Sequence, residues 1–226
     1  MEVVNLTVII PTLNEEENIG RLCETIRLLI PQILIIVVDD GSTDNTRELA
    51  RHSGDYVTVI DRSNREIVGL TASIKEGIEN CKTEYFMTID GDFQHPPESL
   101  LDAIKCLLDD PDVIIGFRIK VEDWPFTRKL MSFTAQFLAH FSLRLRHRQI
   151  PKDVMSGFFG GKVEVFLPLL ENNVLALKGY KLLFDILKIL PRRTKIKQFG
   201  YVFKNREFGD SKIGKTQIWE FFKSVF

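Results

Sequence analysis

The 226-residue chain contains only three cysteines and no long uninterrupted apolar run. Cys23, Cys81 and Cys106 lie far apart without paired spacing, which argues against a disulfide framework or a zinc site and indicates a reducing compartment. No window holds the roughly 18 consecutive apolar residues of a spanning helix, and the N-terminus lacks the basic-then-apolar pattern of a secretory signal. We therefore expect that this chain does not itself cross a membrane.

Glycine-rich phosphate loops are also missing. Neither Gly-x-Gly-x-x-Gly nor Gly-x4-Gly-Lys-Ser/Thr occurs in the chain, so backbone amides alone would not cradle a phosphate group. The charge of a phosphorylated ligand would have to be met by a metal ion and by Arg or Lys.

Acidic and basic residues are divided between the two parts of the chain. Residues 1–124 carry 24 Asp and Glu against 11 Lys and Arg, a balance of −13, whereas residues 125–226 carry 7 against 19, a balance of +12. The first part is suited to a cation and the second to an anion. Nucleic acid, anionic lipid or a phosphorylated small substrate would each satisfy the basic part, and charge does not choose among them.

Apolar runs alternate with helical segments along the chain. Strands are predicted at 6–10, 33–38, 56–60, 85–89, 112–117 and 195–203, and helices after Asn14 and over 44–52, 69–80, 97–108, 125–149 and 179–190. This alternation predicts one α/β domain over 1–226, with a mostly parallel sheet flanked by helices. The glycine-rich, aromatic stretch 153–161 is instead typical of a substrate-facing loop.

Polar residues follow three of the first four predicted strands, at 11–15, 39–40 and 90–94. Because the carboxyl ends of parallel strands meet at one edge of a sheet, these segments should surround one cleft. Asp90, Asp92 and Gln94 offer hard oxygen ligands, which suit Mg²⁺ or Mn²⁺ shared with a phosphate. Taken alone, the Asp-Gly sequence is more typical of a turn, but its position beside the other two segments favours a site.

The segment 125–149 combines aromatic and basic residues without an acidic one. Its apolar residues recur at helical spacing and predict a single stripe: Phe126, Leu130, Phe133, Phe137 and Phe141. A basic amphipathic helix of this kind is typical of a membrane interface. A helix that packs its stripe on the core and exposes a basic rim explains the same pattern equally well.

Three motifs lie at 8–15, 37–44 and 90–92, in this order along the chain. Together they resemble those of glycosyltransferase family 2, the GT-A (Rossmann-like) enzymes. The segments 92–98, 153–158 and 206–212, with Arg128 and Ser132 four residues apart, are similar to the dolichyl/polyprenyl-phosphate mannose or glucose synthases. The resemblance runs from Leu6 to about Ile213 and implies that residues 1–118 bind the nucleotide sugar and metal, and residues 119–226 the acceptor.

The resemblance also implies roles for individual residues. The donor nucleotide would contact Pro11, Leu13, Glu15, Asp39, Asp40, Asp90 and Gly91, with Mn²⁺ or Mg²⁺ on Asp90, Asp92 and Gln94. The acceptor phosphate would contact Arg118, Arg128, Ser132, Ser156, Arg206, Ser211 and Lys212. The catalytic group would be Asp92, Arg118, Arg206 and Lys212.

The implied reaction is an inverting, metal-dependent transfer of a hexose to dolichyl or polyprenyl phosphate. The hexose expected first is mannose, with GDP-mannose as the donor. The reaction would take place on the cytoplasmic face of a membrane, to which the enzyme would bind peripherally. The implied partners do not include nucleic acid, and they can include a subunit that anchors the enzyme to the membrane. A phosphate acceptor is already ionised, so no general base is demanded. We expect His95 to be structural, since the favoured metal takes oxygen ligands.

Two departures from the resembled family bear on specificity. Leu13 stands where a Tyr is usual, and Gln198-Phe199-Gly200 stands where many relatives have Glu-Val-Pro. Three alternatives stay open: a UDP-glucose donor, a soluble hydroxyl acceptor with Asp153 as base, and a catalytically silent donor-binding scaffold. The intact Asp-x-Asp pair and late Arg206 argue against the scaffold.

Overall fold

The structure is a computed structural model, which describes residues 5–122, 126–171 and 181–206, and of residues 126–129 the backbone alone. Its strands are β1 (Leu6–Thr12), β2 (Leu34–Asp39), β3 (Val57–Asp61), β4 (Tyr85–Thr88), β5 (Val113–Val121), β6 (Phe159–Lys162) and β7 (Ile196–Phe203). Its α-helices are α1 (Ile19–Leu29), α2 (Thr46–His52), α3 (Leu70–Glu79), α4 (Leu100–Leu107), α5 (Phe126–Leu145), α6 (Val163–Leu170) and α7 (Leu182–Ile189).

The seven strands form one sheet in the order β3-β2-β1-β4-β6-β5-β7. All pairings are parallel except those of β6, which runs antiparallel to both of its neighbours, β4 and β5. The mostly parallel α/β sheet predicted from the sequence is therefore confirmed. The carboxyl ends of β1, β2 and β4 lie side by side, which brings the three predicted polar segments to one edge.

Two apolar cores cover the two faces of this sheet. Side chains alternate along a strand, so Ile9 of β1 joins one core with residues of α3, α6 and α7, whereas Val8 and Ile10 join the other with residues of α1 and α4. Burial on both faces explains why the central strands read as continuous apolar runs. Within the described part of the chain, none of the helices combines the length and apolar character that crossing a membrane requires.

The prediction of a loop through 153–161 is wrong at its end, because β6 begins at Phe159. A Cβ on Gly160 would lie 2.0 Å from the carbonyl oxygen of Phe86, and Gly161 adopts φ +151°. The glycines therefore mark a close approach between strands rather than an open loop. Helix α6 is absent from the predicted elements, and α5 ends at Leu145, four residues before the predicted limit.

Candidate active site

Two loops at the sheet edge are joined by hydrogen bonds between the end of β1 and the segment after β2. The backbone N–H of Asn14 donates to Ser42 Oγ, and the Asn14 side-chain oxygen accepts from the N–H of Thr43, both over 2.8 Å. The N–H of Glu15 donates to Thr46 Oγ1 over 2.8 Å. Asn14 has φ +51°, which Asn tolerates better than most residues. Pro11 and Leu13 are partly exposed on this edge.

Asp39 and Asp40 occupy different environments at the end of β2. Asp39 is fully buried, and it accepts hydrogen bonds from Ser42 and from Arg47 Nη1, the latter over 3.0 Å, so it organises the turn. Asp40 is partly exposed and accepts from Arg62 Nε over 3.2 Å and from the N–H of Gly69 over 2.6 Å. Burial raises the pKa of Asp40, and these two contacts oppose the rise. The predicted donor contacts of both carboxylates stay predictions.

The Asp-x-Asp segment forms a tight loop after β4. Phe93 adopts φ +61°, an unusual conformation for a bulky residue, and the N–H of Gln94 donates to Asp92 Oδ1 over 3.0 Å. A Cβ on Gly91 would lie 3.4 Å from Thr12 and 3.5 Å from Glu15, so the loop packs closely on the end of β1. The predicted donor-site and metal-site segments are thus neighbours in space.

Burial raises the pKa of both carboxyl groups in this loop to about 6, and Asp90 raises the pKa of Asp92 further through its charge. Two partly desolvated carboxylates of this kind favour a cation. Among the described residues, no three His, Cys, Asp or Glu side chains form a metal-binding group. Oxygen donors such as these carboxylates and the Gln94 side-chain amide suit Mg²⁺ or Mn²⁺ shared with a substrate phosphate, and the assignment of the ion to these residues stays a prediction.

His95 holds the backbone of this loop. Its Nδ1 accepts the N–H of Asp90 over 3.1 Å, and its ring packs against Phe158, Tyr201 and Phe203 with centroids 5.1 to 5.5 Å apart. Burial lowers the pKa of His95 to about 4, so the imidazole is neutral near pH 7. This environment agrees with the structural role expected for His95.

Arg206 reaches the same edge from the residues after β7. Its Nη2 lies 2.7 Å from Asp92 Oδ2 and its Nη1 lies 3.3 Å from Glu15 Oε1. A residue predicted for the acceptor and catalytic groups therefore contacts one predicted metal ligand and one predicted donor residue. Ser211 and Lys212, predicted for the same groups, lie outside the described residues.

A pocket of about 270 Å³ lies beside this edge, at the end of β5. Its polar part includes Arg118, Ser132 and Asp153, and its apolar part includes Phe117, Val121 and Phe133. Arg118 forms a two-point ion pair with Asp153, over 2.6 Å from Nε and 3.1 Å from Nη2. The predicted acceptor residues Arg118 and Ser132 thus line one pocket, whereas the side chain of Arg128 lies outside the described residues.

The segment 153–158 connects the pocket to the Asp-x-Asp loop. A Cβ on Gly157 would lie 3.3 Å from the His95 ring and 3.5 Å from the Asp90 carboxylate. Ser156 is buried, and its Oγ accepts the N–H of Phe158 over 3.1 Å. Ser156 therefore shapes this turn, and its predicted contact with the acceptor phosphate stays a prediction.

Sequence reasoning missed Lys181, at the start of α7. Its Nζ lies 3.4 Å from the carbonyl oxygen of Met155. Burial, aided by the charge of Arg118, lowers the pKa of Lys181 to about 8, while Asp153 and Asp90 oppose this shift. The ammonium group therefore interacts electrostatically with charged residues of both the pocket and the metal-site loop. A single Lys before an apolar helix gave no local signal of this position.

A parallel-strand edge that carries an Asp-x-Asp loop, with an adjoining cationic pocket, is the arrangement of a glycosyltransferase with the GT-A fold. Residues 7–169 match the sequence model of Glycosyl transferase family 2, and the chain belongs to that family. In the solved structure of glucosyl-3-phosphoglycerate synthase from Mycobacterium tuberculosis with Mn²⁺, UDP and glucosyl-3-phosphoglycerate, the same fold recurs, with a TM-score of 0.70 at 18% identity over 98% of this chain and 78% of that one.

Curated relatives are similar over nearly the whole chain. The dolichol-phosphate mannosyltransferase of Pyrococcus furiosus is 34% identical over 99% of this chain, which spans 63% of that relative's length. The protein of the same name from Saccharomyces cerevisiae is 30% identical over 98% of this chain and 86% of its own. The polyprenol monophosphomannose synthase of Mycolicibacterium smegmatis is 30% identical, with coverages of 94% and 82%.

Proposed function

We propose that this protein transfers a hexose, mannose from GDP-mannose, to dolichyl or polyprenyl phosphate at the cytoplasmic face of a membrane, with inversion at the sugar. The names of the relatives support the lipid-phosphate acceptor and the mannosyl group. The observation that carries the proposal is the Arg118–Asp153 ion pair in the pocket beside the Asp-x-Asp loop. Residues 1–118 would bind the donor and the metal, and residues 119–226 the acceptor.

The hydrogen bonds of the Asp153 carboxylate help to distinguish a phosphate acceptor from a hydroxyl acceptor. A hydroxyl acceptor needs a general base, and Asp153 is the candidate for that role. Its two oxygens accept from Arg118, and Oδ1 also accepts the N–H of Met155 over 3.1 Å. A phosphate monoester, whose second pKa is about 6, needs no base near neutral pH. Because both oxygens of Asp153 already accept hydrogen bonds within the protein, Asp153 is poorly placed to act as a base, which supports a phosphate acceptor.

In the proposed reaction an acceptor phosphate oxygen attacks the anomeric carbon opposite the leaving group. The new carbon–oxygen bond forms as the bond to the nucleoside diphosphate breaks, and the electron pair leaves with the diphosphate. Asp90, Asp92 and Gln94 would hold the Mg²⁺ or Mn²⁺ that supplies Lewis-acid neutralisation of that leaving group. Arg206 and Lys181 would add positive charge where the two phosphorylated substrates approach each other.

The exposed stripe on α5 supports action at a membrane surface. Its described members are 48% to 70% exposed: Leu130, Phe133, Phe137 and Phe141. The same helix buries Ala139 and Leu143 in the core, so the stripe is not the side of α5 that packs on the core. Apolar side chains beside a basic segment suit the bilayer interface and the first isoprene units. A membrane-anchoring partner subunit is compatible with this arrangement.

A turnover assay tests the proposal. Detergent-solubilised protein with Mn²⁺ or Mg²⁺ is given labelled GDP- and UDP-sugars, with either a short polyprenyl phosphate or a soluble sugar alcohol as acceptor. We expect lipid-linked mannose from GDP-mannose, and chelation of the metal should abolish it. Formation of product only with the soluble alcohol would refute the lipid phosphate acceptor. Formation of product only from UDP-glucose would show that UDP-glucose, and not GDP-mannose, is the donor.

The role of the Asp-x-Asp loop is tested in the same assay. Asp92→Asn should lower turnover at least about a hundredfold, since it weakens the proposed metal site. Asp102→Asn, on the exposed side of α4, removes one carboxylate elsewhere and should retain wild-type turnover. Normal activity of the Asp92 variant would refute the metal role.

A further inference from the structure

Lys152 lines the pocket at the end of β5, which we call the acceptor pocket. The sequence motifs assign no role to this residue. Its ammonium nitrogen lies 4.2 Å from the centroid of the Phe117 ring, and both residues line the pocket with Arg118 and Asp153. Lys152 is exposed, and within the described ranges it forms no ion pair. Its charge is therefore available to a ligand at this position.

The backbone of Lys152 is fixed from two sides. Its N–H donates to Gln198 Oε1 of β7 over 2.8 Å, and its carbonyl oxygen accepts from Gln136 Nε2 of α5 over 2.8 Å. The preceding carbonyl, that of Pro151, contacts His140 Nε2 of α5 over 3.1 Å. Gln198 is one of the departures from the resembled family, and this contact gives it a role. The two amide side chains hold the backbone of Lys152, and with it the root of its side chain, beside the pocket.

Arg118 and Lys152 are the cations among the described residues of the pocket lining, and of these two only Arg118 is paired with a carboxylate there. Arg118 carries a positive charge, but Asp153 compensates it at 2.6 Å. A phosphate monoester brings between one and two negative charges near neutral pH, so it requires a further cation. The contact of an exposed ammonium with an aromatic ring contributes only about 0.5–1 kcal/mol, so a phosphate can replace it. Lys is suited to this role as a mobile point charge.

We propose that Lys152 binds the phosphate of the prenyl phosphate acceptor, and that Gln136 and Gln198 position it. This inference rests on the proposed function and adds a residue to it. Arg118 and Ser132, which line the same pocket, bind the same phosphate, while Phe117 and Phe133 contact the first isoprene unit. Lys152 acts on acceptor affinity and takes no part in breaking the donor bond.

Steady-state kinetics in phospholipid-free detergent micelles test the proposal. Lys152→Gln should raise the KM for polyprenyl phosphate about five- to tenfold, as loss of a charged hydrogen bond at a partly exposed site does. The kcat and the KM for the donor should stay within about twofold of wild type. Lys152→Arg should restore most of the affinity. Lys82→Gln, which removes an exposed cation beyond the opposite edge of the sheet, is the matched control.

A double-mutant cycle separates positioning from direct binding. Gln198→Leu should raise the acceptor KM by a smaller factor, and Gln198→Glu, which keeps an acceptor oxygen for the N–H of Lys152, should resemble wild type. Combining Gln198→Leu with Lys152→Gln should add nothing to Lys152→Gln alone, because both act through one contact. Fully multiplicative effects would refute the positioning role of Gln198.

Direct binding distinguishes failure of this inference from failure of the proposed function. Titration calorimetry with farnesyl phosphate and farnesol should show that Lys152→Gln weakens binding of the phosphate and leaves binding of the alcohol unchanged. If wild type makes no lipid-linked sugar, the proposed function falls, and this titration still decides the role of Lys152. Wild-type farnesyl phosphate affinity in Lys152→Gln overturns the inference. Loss of binding only to phosphatidylglycerol vesicles also overturns it, since Lys152 would then contact bilayer lipid.

Discussion

Arg206 Nη2 lies 2.7 Å from Asp92 Oδ2, although the two residues belong to opposite parts of the chain. The second terminal nitrogen of Arg206 lies 3.3 Å from Glu15 Oε1. The guanidinium thus joins the end of β1, the loop after β4 and the residues after β7. It also lowers the pKa of Asp92, against the effects of burial and of Asp90. A cation in this position can neutralise either the carboxylates or a bound diphosphate.

Arg206→Ala should lower turnover by about 10²- to 10³-fold, the usual effect of removing one charged donor at a site of developing negative charge. The free energy of unfolding should change little when Mn²⁺ is present, because the ion then replaces the guanidinium as the charge that balances the largely buried Asp92. Turnover and chemical denaturation of the same preparations measure the two effects. Arg206→Lys should be intermediate, and a loss of stability as large as the loss of activity would mark Arg206 as structural.

Lys181→Met should lower kcat about tenfold or more, because it removes a cation placed among Asp90, Arg118 and Asp153. Stability should be unchanged or slightly higher, since burial already disfavours the charged form of Lys181. Single-turnover rates and thermal unfolding measure these quantities. Lys105→Met, on the exposed side of α4, is the matched control. Wild-type kcat in the Lys181 variant would leave it a structural role only.

The sheet edge was accessible to sequence reasoning because parallel strands all end on one side. The polar residues after β1, β2 and β4 needed only that rule to be placed together. The Arg118–Asp153 pair and Lys181 needed more, since their positions depend on how the 153–158 loop and α7 fold back over the edge. No local pattern encodes such distant contacts.

The glycines of β6 and the stripe of α5 illustrate the same limit. Gly160 and Gly161 have the composition of a loop, and only the neighbouring backbone, of Phe86 at Gly160 and of Asp112 at Gly161, shows that a side chain could not fit there. The spacing of Phe133, Phe137 and Phe141 predicts a shared face, but it does not say what that face meets. Burial of Ala139 on the other side of α5 leaves the stripe exposed.

Burial of the neutral His95 should contribute a destabilising term to the metal-free protein as the pH falls from 6.5 to about 4. In this window the unfolded state binds a proton that the buried imidazole does not, because its pKa falls from 6.5 to about 4 on folding. Asp90 and Asp92 act in the opposite direction, since their pKa values rise from 3.8 to about 6 and the folded state binds more protons there. A comparison between wild type and a His95 variant therefore isolates the contribution of the imidazole to the pH dependence of stability.

His95→Asn keeps an acceptor for the N–H of Asp90 and removes the titrating group. On going from pH 6.5 to pH 4, the free energy of unfolding of this variant should change more favourably than that of wild type, by an amount on the order of 3 kcal/mol. Urea unfolding in chelator across this pH range measures the difference. His52→Asn, at an exposed histidine of α2, should follow wild type. Parallel stability curves for wild type and His95→Asn would show that the imidazole does not titrate as described.

Phe137→Ser should weaken binding to phospholipid vesicles at least about threefold while leaving thermal stability within about 0.5 kcal/mol of wild type. Phe137 is 61% exposed, so its removal sacrifices little burial in the free protein. Insertion of an aromatic side chain into the bilayer interface would account for the loss of affinity. Leu28→Ser, at a 75% exposed position of α1, is the matched control and should bind as wild type. Vesicle cosedimentation over a series of phosphatidylglycerol contents measures the effect, and equal loss in both variants would show that general surface hydrophobicity, rather than the α5 stripe, determines membrane binding.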